Sequence, residues 1–122
     1  MSDYSRLDSI AEIEPLIDES RERPVLFFKH SLTCPISSAA LREYQSFLES
    51  RPEADDTVYT LIEIQNAREV SSSIAERTGV RHESPQALLL RDGEVAWHAS
   101  HWKIKAQALA DAVAADRGTV DG

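Results

Sequence analysis

Val25-Leu26-Phe27-Phe28-Lys29-His30-Ser31-Leu32-Thr33-Cys34-Pro35-Ile36-Ser37 is the stretch that decides the fold. Its first four residues form a continuous apolar run after Pro24, which reads as a central strand buried on both faces. Its last residues open a helix. Proline is favoured at the first helical position, so Cys34 is the N-cap or lies in the first turn. Ile36, Ala40, Tyr44 and Phe47 then share one helical stripe, with Leu41 and Leu48 beside it. The helix runs to about Ser50 and stops before Pro52.

Upstream, Ser9 to about Ser20 reads as a helix. Ser9 and Glu12 have capping-box spacing, and Ile10, Ile13 and Ile17 recur at three- and four-residue intervals. Pro15 either kinks this helix or marks its start. Downstream, the β-branched run Thr57–Ile64 is a second strand. Val70 and Ile74 lie on a shorter helix ending at Thr78, with Gly79 beyond its C-terminus. After Ser84-Pro85, a strand over Gln86–Arg91 meets the hairpin signal Asp92-Gly93. Glu94–Ala99 pairs back, with Val95, Trp97 and Ala99 on one face. A last helix turns Ile104, Leu109, Ala112 and Val113 inward and ends near Asp116, with 117–122 frayed.

The order is α-β-α-β-α-β-β-α. It packs as an α/β domain, a four-stranded mixed sheet with helices on both faces. The chain's 122 residues suit a single domain, with its core over about residues 5–116. Hydrophobic residues at 42% and charged residues at 28% are globular proportions. No apolar run reaches the roughly 20 residues of a membrane span, and the N-terminus lacks the pattern of a signal peptide. A soluble cytoplasmic protein is expected, without a membrane partner. The 13 Lys+Arg against 21 Asp+Glu give a net charge of −8, unfavourable for binding nucleic acid. The sequence sets no oligomeric state.

The single cysteine excludes an internal disulfide and a Cys-rich zinc site. At a helix start, Cys34 faces unpaired N–H groups and the positive end of the helix dipole, both of which favour the thiolate. The alternative is a cysteine packed as a small hydrophobe. In Cys34-Pro35-Ile36-Ser37, Ser37 occupies the place of a second, resolving thiol. Cys34 therefore exchanges disulfides only as a monothiol, and an outside thiol must release it. Ser37 is otherwise an ordinary helix residue, or a hydroxyl bonded to the Cys34 sulfur. Pro85 either begins a strand, where no donor is needed, or follows a cis peptide that sets the Ser84 backbone beside Cys34. Lys29, His30, Arg81, His82, His98, His101, Lys103 and Lys105 form a positive rim or are scattered surface residues. Four dispersed histidines lack zinc-site spacing, so no metal is expected. Trp102 is either a core aromatic or one wall of a ligand groove.

Strand, cysteine at a helix start, later Ser-Pro before a hairpin, and closing helix together resemble the thioredoxin fold. The strings Phe28-Lys29-His30-Ser31, Thr33-Cys34-Pro35-Ile36-Ser37 and Ser100-His101-Trp102-Lys103-Ile104 resemble the YtxJ-type monothiol bacilliredoxins over about residues 5–115. The resemblance implies a stress-response oxidoreductase that removes bacillithiol from S-bacillithiolated client proteins. Bacillithiol, a low-molecular-weight thiol, is then a co-substrate, and no cofactor is tightly bound. Carried over, Cys34 is the nucleophile, Pro85 the cis-proline and Ser37 the replaced thiol. Lys29, His30, Thr33, Pro35, Ser84, His101 and Trp102 surround the substrate. In one departure, Lys103 and Lys105 stand where relatives carry an acidic residue and a Thr cap, which implies a weakened start to the last helix. Two other classes fit the same fold: a non-catalytic interaction domain, and an iron–sulfur carrier like the monothiol glutaredoxins, against which the bulk of Pro35 argues.

Overall fold

The computed structural model describes residues 4–121, with side chains through Ala115. The sheet has five strands in the order β1-β3-β2-β4-β5. The four expected strands are β2 (Val25–His30), β3 (Val58–Glu63), β4 (Gln86–Arg91) and β5 (Glu94–Ser100). The addition is β1 (Ser5–Arg6), which pairs parallel with β3. Two polar exposed residues carry no strand periodicity, so only the β3 edge reveals it. β2 runs parallel to β3 and antiparallel to β4, and β4 and β5 form the hairpin. Asp92 and Gly93 both have positive φ, at 56° and 80°, as a two-residue turn of this hand requires.

Each sheet face carries a separate apolar layer. Helices α1 (Ile13–Glu19) and α3 (Arg68–Thr78) send Ile13, Ile17, Val70 and Ile74 onto Val25, Phe27, Ile62, Leu88 and Leu90. Helices α2 (Pro35–Ser50) and α4 (Ala106–Asp121) cover the opposite face, where Ala40, Tyr44, Phe47, Leu109 and Val113 meet Leu26, Phe28, Leu61 and Leu89. Tyr44 anchors this layer. It stacks on Phe28 at 4.4 Å, and its buried hydroxyl donates to the Thr60 carbonyl at 2.9 Å.

Several local expectations are corrected. Ser9 and Glu12 do form the capping box, but they cap a short 3-10 turn, Ile10–Glu12, that leads into α1. Pro15 therefore sits in the first turn of α1, where no backbone donor is required, and Ile10 is left 46% exposed. On α2, buried Ser37 takes the first place on the inward stripe and Ile36 is only half-buried. The register shifts at Leu89/Leu90, so that Trp97 pairs with Leu89 and Val95 with Leu90. This irregularity leaves Ala96 as an extra residue and rotates Val95 to the α1/α3 face, while Trp97 and Ala99 stay with α2 and α4. α4 is helical through Asp121, past the end expected near Asp116 and over most of the segment expected to fray. Its alanine-rich sequence favours the helix. Gly122 lies outside the described residues.

Candidate active site

The site forms at the C-terminal ends of β2 and β3 and the start of α2. Cys34 is the N-cap of α2, in extended conformation, with Pro35 opening the helix. The residue is partly exposed. The thiol is pulled below its ordinary range chiefly by the Ser37 N–H, assisted by the Ile36 N–H and the Ser37 hydroxyl, with burial opposing them. These are the orphan donors of a helix start, aimed at a group that gains charge on ionising.

Ser37 is wholly buried, and its hydroxyl works in two directions. Its oxygen accepts the Ser31 N–H at 3.2 Å, which ties the loop before Cys34 to the helix after it. It also lies 3.5 Å from the Ser84 hydroxyl. The Ser84–Pro85 peptide is cis. The Pro85 carbonyl accepts the His101 N–H at 3.0 Å, so the turn His101–Lys103 is held beside the proline. That turn also packs on α2. Cys34, Ser37, Ser84, Pro85 and His101 are thereby assembled from three separate parts of the chain.

Trp102 is 61% exposed, which overturns its reading as a core aromatic. Leu32, two residues before Cys34, is also exposed. Thr33 is exposed too, and Pro35 shows its ring to solvent. The absent Thr cap of α4 is replaced from another helix: the Glu43 carboxylate on α2 accepts the Ala106 N–H at 2.8 Å. The expectation of a weakened start is corrected accordingly, since a carboxylate at a helix N-terminus also suits the dipole.

The positive rim is smaller than expected. Lys29 is wholly buried, and it lies on the α1/α3 face because strand side chains alternate. His30 takes the α2 face and is 6% exposed. Burial lowers its pKa, with the Ser37 backbone and the Glu63 charge opposing, and its Nδ1 has no partner. Neither residue belongs to a surface rim. Arg81, His98 and His101 do share a neighbourhood. Together with the Ser100 hydroxyl, the largest influence, they hold the Glu83 carboxyl below the ordinary range.

Gln65 is a site residue that sequence reasoning missed. Its Oε1 accepts the Leu32 N–H at 3.0 Å, and its Nε2 donates to the hydroxyls of Ser31 at 2.9 Å and Thr33 at 3.4 Å. One amide thus clamps the whole segment leading to Cys34. A signal was available: Gln65 follows β3, whose carboxyl end lies beside that of its parallel neighbour β2, the edge where sites of open α/β sheets gather.

A thiol with a lowered pKa at a helix start, and a cis-proline loop that Ser84 brings to the same helix, are features of a thiol oxidoreductase of the thioredoxin fold. Similar solved structures agree. A proposed oxidoreductase with a thioredoxin fold is 37% identical, with 90% of this chain and 93% of that one covered and a TM-score of 0.78. Thioredoxin f from spinach chloroplast (short form) and thioredoxin from Trypanosoma brucei brucei share the fold at 16% and 13% identity, with TM-scores of 0.71 and 0.72. Coverage is 94% of each chain for the first, and 98% of this chain and 92% of that one for the second. The model of the family described as monothiol bacilliredoxin BrxC matches residues 5–109, and this chain belongs to that family.

Among the described residues, no three His, Cys, Asp or Glu side chains gather as metal ligands. No helix among them is long and apolar enough to cross a membrane.

Proposed function

We propose that this protein removes bacillithiol from protein mixed disulfides by monothiol exchange at Cys34. The observation that carries the reading is the pairing of one partly exposed cysteine, its pKa lowered, with a buried hydroxyl, Ser37, at the place of a resolving thiol. The Cys34 thiolate attacks the bacillithiol sulfur of a client–S–S–bacillithiol bond in line. The client sulfur leaves as a thiolate and takes a proton from solvent, and Cys34 keeps bacillithiol in a new disulfide. A second low-molecular-weight thiolate then attacks that disulfide, leaves as part of a small-molecule disulfide and restores the Cys34 thiolate.

The helix-start N–H groups make Cys34 both a ready nucleophile and a good leaving group. Ser84, Pro85, Thr33, Pro35, His101 and Trp102 border the approach to the sulfur. The carboxylates of bacillithiol's malate group have cations to meet in the exposed Lys103 and Lys105. Lys29 and His30 are buried and offer no surface charge to the ligand.

Mass spectrometry after mixing the protein with an S-bacillithiolated protein tests this. A bacillithiol adduct on Cys34 and its loss in Cys34→Ser are expected. No adduct, or undiminished turnover in Cys34→Ser, defeats the reading.

A further inference from the structure

The interior holds a cation that the exchange chemistry does not use. Lys29 lies near the end of β2, wholly buried, with Ile62 of β3 and Gln86 of β4 as its cross-strand neighbours. Its near neighbours on that face, Phe27, Ile62 and Leu88, are apolar. Among the described residues, no carboxylate pairs with its ammonium. Nζ instead lies 3.2 Å from Nδ1 of His82. The Ser71 hydroxyl, from α3, approaches the same nitrogen at 3.2 Å. An ammonium can only donate, so Nδ1 accepts from Lys29 and the ring proton lies on Nε2.

Gln86 grips the same segment. Its Nε2 donates to the Arg81 carbonyl at 2.9 Å, while its Oε1 is buried without a partner. Side chains from β2, α3 and β4 thus converge on Arg81 and His82. Ser84, which meets Ser37, lies two residues further on.

We propose that Lys29 is a positioning residue: it latches His82 and so holds the Arg81–Pro85 segment where Ser84 and Pro85 border the Cys34 sulfur. Its consequence for turnover rests on the exchange reaction proposed above; the latch itself does not. A methionine would fill the strand position without the cost of a buried charge. What a lysine adds is a donor on a stem long enough to reach beyond the strand end.

The charge states suit the task. Burial, then the Lys29 charge, lowers the His82 pKa, with Glu83 opposing, and burial lowers that of Lys29 to about 8. Near neutral pH a charged donor therefore meets a free lone pair. In acid, a proton on His82 removes the lone pair and sets two cations 3.2 Å apart. The other groups bearing on the pair are the Ser71 hydroxyl, the Gln86 amide that holds the Arg81 carbonyl, and Glu83, whose charge reaches His82.

Three variants of the full chain test the latch. Lys29→Met removes the donor, and His82→Leu removes the acceptor. His82→Asn keeps an amide oxygen near the Nδ1 position but does not titrate. The readouts are hydrogen exchange of the backbone amides over 80–84, and KM and kcat for release of bacillithiol from a bacillithiolated peptide. Lys29→Met and His82→Leu are expected to speed that exchange about tenfold, the equivalent of one charge-assisted hydrogen bond. Exchange in β2 and β3 is not expected to speed up in either variant, and KM rises by a similar factor at nearly constant kcat. His82→Asn is expected to restore both and to flatten the acid limb of KM. Unmoved exchange in Lys29→Met and His82→Leu, or His82→Asn as fast as His82→Leu, overturns the latch. Faster exchange at unchanged KM overturns the positioning role. If the unaltered protein releases no bacillithiol, the proposed function fails, and the exchange data still decide the latch.

Discussion

The hydroxyls of Ser37 and Ser84 lie 3.5 Å apart, although 47 residues separate them in the chain. Through this pair the first turn of α2 touches the loop that leads into β4. Ser37 also accepts the Ser31 N–H, and its own N–H lowers the Cys34 pKa, so one residue bears on Cys34 and on both loops around it.

Ser37→Ala separates these roles. The backbone N–H, the larger influence on the thiol, survives, so the Cys34 pKa is expected to rise only part of the way toward its ordinary value. The Ser31 N–H loses its acceptor, at a cost of roughly 1–3 kcal/mol. The pH dependence of iodoacetamide alkylation and urea unfolding report the two effects. A pKa unchanged from the parent contradicts the hydroxyl's role.

Ser37→Cys supplies a resolving thiol at a buried site that accepts sulfur readily. The Cys34 adduct is expected to be released from within, with an internal disulfide appearing in its place. Non-reducing mass analysis follows both species. A persistent Cys34 adduct would show that the position 37 side chain does not face the sulfur.

Gln65→Glu keeps an acceptor for the Leu32 N–H but loses the donor to Ser31 and Thr33, and it adds a negative charge beside the Cys34 loop. The thiol pKa is expected to rise, as like charge opposes ionisation. Gln65→Ala is expected to cost about 1 kcal/mol and to slow exchange several-fold. An alkylation profile unmoved by Gln65→Glu counts against the clamp.

Lys29 makes stability depend on pH in the alkaline range. Its pKa falls from 10.5 in the unfolded chain to about 8 in the fold. Between those values the unfolded chain keeps a proton that the folded chain has released, so this term raises stability as pH rises. Below pH 8 the full penalty applies, on the order of 3 kcal/mol at most. Lys29→Met is therefore expected to be more stable than the parent at pH 7 by urea unfolding, with the difference shrinking toward pH 10.5. A less stable variant at pH 7 refutes this.

Trp102→Ala removes an exposed aromatic from the edge of the site. Among the described residues its ring has one cation–π partner, the Lys105 ammonium at 5.9 Å, so a stability change under about 1 kcal/mol is expected. KM for a protein mixed disulfide is expected to rise about three- to tenfold, with a small disulfide little affected. Equal effects on both substrates would remove Trp102 from the client surface.

Much of the fold was legible because its signals are local. The Val25–Phe28 run, the Cys34-Pro35 helix start, the Asp92-Gly93 hairpin and Gly79 after α3 each state their conformation within a few residues. The two-residue β1 was not legible, since its pairing comes from the β3 edge. Neither was the turned side chain of Val95, which an extra residue in β5 rotates. At the site, Cys34 and Ser37 announce themselves by spacing, and Pro85 by its place before a strand. Gln65, Ser71 and His82 give no such sign, because an amide, a hydroxyl and an imidazole acquire roles only from what faces them.

By itself the amino-acid order determined that the sequence carries one thiol, that it stands at a helix start, and that no second cysteine stands beside it to release it. Backbone preferences and composition act over a few residues and need no partner. Tertiary structure alone decided that Lys29 points away from α2 into the interior and reaches His82, that Ser84 meets Ser37, and that Glu43 caps α4. Strand alternation says only that Lys29 and His30 face opposite ways; which face each takes depends on the side of the sheet where α2 packs.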